Sequence, residues 1–468
     1  MILKTFKKEL KEITRDGRAR IAFSIVLVLL GSSVWISAKR YQDTNKEYQQ
    51  ALSSERAMWD NQGEKNPHSA AHFGTYAFKP KYPLSLIDQG VDKYAGTSIF
   101  LEAHNRNEAQ FSAAADQTGL ARFGELTPDF VLLFMVPLLI ILLAYNVFTK
   151  EREMGTLTLL KSQGLSRVKW FTGKWLALMV PILSLTLVVF ILAGLVLSNL
   201  KGFGEFQWSA LGVLFLVYAA YYVVFTNVVM FISSRARKSG TALVMSLSVW
   251  ILACLAAPKA ASNFAENEHP YPSRQEFLAM VAEDKKQGLD GHNPWSKEAK
   301  LLEQEVLKEY GVDSLHQLPF NFDAYRMQKG EEHEAEVYFK HYNYLKEQYK
   351  NQSKTYRSLA VISPFLPTRF MSMAIAHTDY NTHWDFADAA EEYRILTQKF
   401  LNDNFAENSK LGEWGYQADA SLWQELPAFE YDPPELQQIV SDNRGNTAVL
   451  SFWLVGSFVL SLLSIKRI

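Results

Sequence analysis

Ten histidines are the residues of this 468-residue chain best suited to chemistry, at positions 68, 72, 104, 269, 292, 316, 333, 341, 377 and 383. His68 and His72 stand four apart, a spacing that many metal-ligand pairs use on one helix face. Pro and Gly flank them in "NPHSAAHFG", which need not be helical, and exposed polar histidines without a metal are the plainer reading. The histidines of "HEAEVYFKH" are eight apart and do not match the four-residue spacing of a zinc peptidase. No Ser/His/Asp set has a nucleophile elbow. "FTGKW" lacks the first Gly of a phosphate loop, with Val168 in its place, and Trp175 stands where Ser or Thr would hold magnesium. The residues therefore point to a non-enzyme, with no catalytic group and no metal or cofactor of its own.

Charge segregation gives the frame for these residues. Six stretches lack Asp, Glu, Lys and Arg and are long enough to cross a bilayer: Ile21–Ala38, Phe130–Phe148, Trp175–Leu200, Phe206–Ser234, Ser239–Pro258 and Asn446–Ile465. The first reads as a signal anchor, since it exceeds the usual length of a cleaved signal's apolar core. The short segments 1–20, 149–174, 235–238 and 466–468 hold 18 Lys or Arg against 5 acidic residues. The positive-inside rule places them, with both ends of the chain, in the cytoplasm. Residues 39–129 and 259–445 become two large exterior insertions, periplasmic in a bacterial inner membrane. The expected fold is an α-helical polytopic membrane protein with six transmembrane helices and two mainly helical exterior insertions.

The sole cysteine, Cys254, lies in the fifth span, so neither insertion can close an internal disulfide. No span carries an ionisable residue, which disfavours ion-coupled transport. Asn227 and the Tyr218, Tyr221, Tyr222 cluster are expected to bond neighbouring helices.

The loop "FTKEREMGTLTLLKSQGLSRVKWFTGKW" is charged, short and helix-prone. Thr149 can cap a helix whose first turn carries Glu151 and Glu153, and Leu157, Leu159 and Leu160 offer an apolar knob in a polar frame. Such a helix suits a groove on a partner. At the chain start, Leu3, Phe6, Leu10 and Ile13 follow helical spacing among lysines and can lie on the cytoplasmic membrane surface in contact with lipids.

The loop resembles the segment between the second and third spans of ABC-2 type transporter permeases, where a Glu-x-Glu-x-Gly-Thr-Leu run precedes a turn and a Gly-Lys. That resemblance implies a cytoplasmic helix seated in an ATP-binding cassette subunit, which would bind ATP and Mg, and a second permease completing a homodimer or related heterodimer. Glu151, Glu153, Gly155, Thr156, Leu157 and Leu160 become the expected contacts. The large insertions resemble a branch of these permeases with a domain of unknown function, described as involved in multicopper-enzyme maturation. Ser363, Pro364, Asp379, His383, Phe386 and the Tyr393-Arg394 pair carry that likeness, while Met371 and Met373 are slight support for copper.

Three functions are compatible with this frame. The chain is the permease subunit of an ATP-driven exporter. Alternatively, it transmits ATP-driven motion to a periplasmic or outer-membrane partner without passing a substrate. A membrane-tethered binding protein or enzyme is the third, and leaves the loop unexplained. No feature points to nucleic acid, and none names a substrate.

Overall fold

The computed structural model describes residues 1–112, 125–164, 166–200 and 205–467. Of the ranges read above, positions 113–124 of the first insertion, 165 of the loop, 201–204 between two spans and 468 lie outside the described residues.

Among the described residues, six helices are long and apolar enough to cross a membrane. They are α2 (Gly17–Asp60), α4 (Pro128–Glu153), α6 (Arg167–Asn199), α7 (Trp208–Arg235), α8 (Ser239–Glu268) and α15 (Arg444–Arg467). A short α1 (Ile2–Arg15) precedes them, and Asp16 ends it and caps α2 by accepting from the Arg18 amide. Between α4 and α6 lies the two-turn α5 (Thr156–Ser162). Helix α7 is central, packed on α4, α6 and α15. Its tyrosines Tyr218, Tyr221 and Tyr222 are fully buried, while the outward residues of α6 and α15, such as Ile191, Leu195, Phe452 and Val455, stay exposed and apolar. Outward apolar faces are what lipid contact requires.

Two spans carry a π turn, each just before a proline. Helix α4 opens with a π turn at Val131–Met135 just before Pro137, and α8 holds one at Leu252–Ala256 just before Pro258. A proline has no N–H to give, so a carbonyl one turn back is left free. Tyr222 donates to the carbonyl of Leu132 at 3.1 Å and Tyr221 to that of Leu133 at 3.0 Å. Ser363 donates to the freed carbonyl of Ala253 at 2.6 Å. The tyrosine cluster is glue between helices, as expected, and Asn227 joins Trp175 at 2.9 Å and Ser457 at 3.1 Å.

The two insertions build one extramembrane domain together. The first supplies α3 (Pro67–Phe73) and an antiparallel sheet, β1 (Thr75–Phe78), β2 (Ser98–Glu102) and β3 (Asn105–Arg106), with Thr75 opposite Leu101 and Leu101 opposite Arg106. The second supplies α9 (Arg274–Lys286), α10 (Lys297–Tyr310), α11 (Phe322–Ser358), α12 (Phe365–Ile375), α13 (Tyr380–Asn408) and α14 (Leu436–Asp442). Helix α13 packs on α11, α3 and β2, and two apolar clusters draw residues from both insertions. Helices α2 and α8 leave the apolar bundle without a break and continue into this domain. A seam of charge joins domain and bundle: Arg369 of α12 reaches Asp88 at 3.1 Å and Asp129 at 2.6 Å, and Ser372 links Asp88 to Tyr218. Buried Asp88 titrates at about 6, raised because desolvation opposes its charge more than Arg369 favours it.

Candidate coupling interface

The four basic segments meet at one end of the bundle. Lys150 pairs with Glu12 at 2.9 Å, Arg18 donates to the Tyr145 hydroxyl at 3.1 Å, and Arg167 donates to the Lys466 carbonyl at 3.0 Å. Arg152 donates to the carbonyls of Ser234, at 3.0 Å, and Ala236. These bonds fix the α4–α5 loop against its neighbours.

Glu151 is turned inward and is only 7% exposed. Its carboxylate accepts from Lys174 at 2.6 Å, and the same ammonium bonds Glu9 of α1 at 2.8 Å. Lys174 is 1% exposed and lies over the ring of Trp170. Lys8 completes the cluster. Burial works against its charge, but Glu9, Glu12 and Glu151 outweigh that and hold its pKa above the ordinary lysine range. The helix α1 therefore sits on α6 through a polar contact at Thr5 and Glu9, with Gly173 leaving room for Thr5. Its apolar residues Phe6, Leu10 and Ile13 are half-buried and Leu3 is exposed.

Glu153 is exposed, yet it too has an internal partner. It accepts from the Ser239 amide at 2.8 Å and hydroxyl at 2.6 Å, satisfying a free N–H at the start of α8. Thr149 joins the same serine at 2.9 Å. Gly155 meets no neighbour of its own chain within 4 Å at its missing Cβ. Its φ of 72° is the reason for glycine, in the turn that redirects the chain from α4 into α5. The Thr156 hydroxyl donates to the Glu151 carbonyl at 3.3 Å and steadies that turn.

The leucines divide by face. Leu157 is 8% exposed and belongs to the bundle core, with Leu160 packed against it. Leu159, at 59% exposed, and Met154, at 67%, point away from the bundle. Of the six expected contact residues, Glu151, Leu157 and Leu160 anchor the loop, Gly155 and Thr156 shape it, and Glu153 locks it to α8. Met154, Lys174 and Ser239 were not singled out from the sequence. Met154 directly precedes the glycine turn, and that position was the signal for its exposure.

Four of the residues that carried the second resemblance make structural contacts. Ser363 holds α8, Asp379 caps α13 by accepting from the Thr382 amide at 3.1 Å, and Phe386 is fully buried. Arg394 is buried too, bonded to Glu391 at 2.9 Å, Glu331 at 3.1 Å and the Glu102 carbonyl at 3.2 Å. It ties the two insertions together.

A bundle of six apolar helices with a charged loop locked to three of them defines a multi-pass membrane protein. Residues 91–257 match the family described as ABC-2 family transporter protein, and residues 274–432 match a domain of unknown function, DUF3526. The chain thus joins an ABC-2 family permease region to an added domain, and the first match supports a membrane subunit of an ABC transporter. No curated protein matches it.

Proposed function

We propose that this chain receives the stroke of a separate ATP-binding cassette subunit through the α4–α5 loop and uses it to export a substrate. One observation carries the reading. The loop is bolted to α1, α6 and α8 by Glu151, Lys174, Glu9 and Glu153, while Met154 and Leu159 stand free at its tip. A rigid mount with an exposed apolar tip is what a lever needs, because force applied at the tip reaches three helices at once. ATP and Mg are bound by the partner, and a second permease chain completes the transporter. The basic end is cytoplasmic by the charge bias of its segments, which puts the extramembrane domain on the periplasmic side of the inner membrane.

The experiment is Met154→Glu combined with Leu159→Glu in the assembled complex. Both side chains are exposed, so the permease keeps its unfolding temperature. Association with the ATP-binding subunit weakens about tenfold or more, as loss of a central apolar anchor does, and ATPase stimulation falls with it. Unchanged association and stimulation would remove the loop from the interface.

The unbroken course of α2 favours a second reading. Its 44 residues span about 66 Å, from the basic end through the bundle to the core of the extramembrane domain, where Trp59 donates to the Trp423 carbonyl at 2.9 Å. A rod of that length can carry motion to a periplasmic or outer-membrane partner with no substrate crossing the bilayer.

A further inference from the structure

The fold gathers four histidines that the sequence scatters. His68 and His72 lie on α3, His104 in the β2–β3 turn, and His292 between α9 and α10. One ligand atom from each falls within 4.8 Å of all the others. The six distances between ring centroids run from 4.5 to 6.4 Å. We infer that His68, His72, His104 and His292 form a binding site for one first-row divalent cation, with Zn2+ the best fit.

Three features separate this group from a chance cluster. First, the Nε2 of His68 faces the Nε2 of His72 at 3.2 Å and that of His292 at 3.3 Å. One ring nitrogen carries either a proton or a lone pair and cannot satisfy two such neighbours, whereas a cation between them satisfies all three. A tetrahedron with metal–nitrogen bonds of about 2.0–2.1 Å has edges of about 3.3–3.4 Å, so these two contacts already have the required length.

Second, His104 is held so that only one nitrogen is left. Its amide donates to Glu331 at 2.8 Å, and its carbonyl accepts from Lys285 at 2.9 Å and Tyr338 at 3.1 Å. Its Nδ1 lies 2.6 Å from Glu331, while Nε2 is buried without a partner. A carboxylate behind the far nitrogen fixes the ring and strengthens it as a ligand. Glu331 is itself fixed by Arg394. The residue also has φ 65°, a conformation uncommon outside glycine, which this web of bonds sustains.

Third, the elements that carry the ligands are built to converge. Asn66 caps α3 by accepting from the His68 amide at 2.8 Å, and Pro67 opens the helix, so His68 and His72 share a face. His292 is brought in by a close backbone approach: a Cβ on Gly330 would sit 2.6 Å from the Gly291 Cα. Arg326 clamps the Gly291 carbonyl at 3.0 Å.

The donor set selects the ion. Four imidazoles without thiolate suit Zn2+ or Cu2+ better than Cu(I), and without oxygen ligands they do not suit Mg2+ or Ca2+. Glu331 and Glu334 also lie near His104, but Arg394 holds the first and Lys285 the second, at 3.0 Å. Four protein ligands close the coordination sphere, so the ion staples the first insertion to the second and is not a catalytic centre.

The test uses the full-length protein purified in detergent, stripped with a chelator and titrated with Zn2+. One ion binds per chain and raises the unfolding temperature. His72→Ala and His292→Ala, at exposed rings, leave the metal-free unfolding temperature unchanged. Each weakens Zn2+ by at least the roughly 10–100-fold that losing an outer-shell partner costs, whereas His316→Ala, outside the group, has no effect. Co2+ in the site gives the intense visible absorption of tetrahedral coordination. Absence of stoichiometric Zn2+, wild-type affinity in both variants, or a weakly absorbing octahedral Co2+ spectrum overturns the site. The result is independent of how the ATP-binding subunit docks.

Discussion

Lys174 and Glu151 show how much a residue's meaning depends on its surroundings. Glutamates in a charged loop read as surface contacts, and a lysine before a span reads as an interfacial anchor. In the fold, Lys174 is shared by Glu9 and Glu151 with almost no solvent around it. Removing one member of such a group leaves an unbalanced buried charge. Lys174→Met should therefore destabilise the protein by about 3–5 kcal/mol, measured by thermal or chaotrope unfolding in detergent. Adding Glu9→Gln and Glu151→Gln should restore most of the loss. If Lys174→Met unfolds like the wild type, the cluster is not a structural joint. A glutamate 7% exposed has an anchoring role in the loop, whatever its part in coupling.

At the scale of elements, the two π turns make a separate prediction. Pro137 has no N–H to give to the turn before it, and there the hydroxyls of Tyr222 and Tyr221 donate to the carbonyls of Leu132 and Leu133. Tyr222→Phe should cost about 1 kcal/mol, the usual worth of a hydrogen bond between spans. In a Pro137→Ala background the helix can supply its own N–H, and the cost of Tyr222→Phe should fall toward zero. A double-mutant cycle measures the difference, and equal costs in the two backgrounds would break the link between proline and tyrosine. The spans themselves were legible because an uncharged apolar run of bilayer length is costly to leave in water and fits the hydrocarbon core. The π turns were not, although Pro137 and Pro258 marked where backbone groups would be freed.

For the whole molecule, the continuous helices α2 and α8 make the bundle and the extramembrane domain one mechanical unit. Ala38→Pro should break that unit in α2 at a cost of about 3 kcal/mol. The complex should still assemble and hydrolyse ATP, since the loop is distant in the chain from the break. Nucleotide-dependent protection of the extramembrane domain against protease should be lost. Full retention of that protection would show that α2 does not carry the motion.

Local chemistry wrote much of this protein into its sequence: six spans, a basic end, a helical loop between the second and third spans, and two polar insertions. Each follows from short-range rules of length, charge and capping that act within one or two turns of chain. Contacts between distant segments decided the rest. Glu151 faces inward because Lys174 and Glu9 arrive from other helices, and Met154 and Leu159 face out because Leu157 packs in. The insertions share two apolar clusters, and Arg394 bonds across them. Four histidines from residues 68 to 292 meet because a strained turn and two facing glycines allow it, and such convergence leaves no periodic signal along a chain.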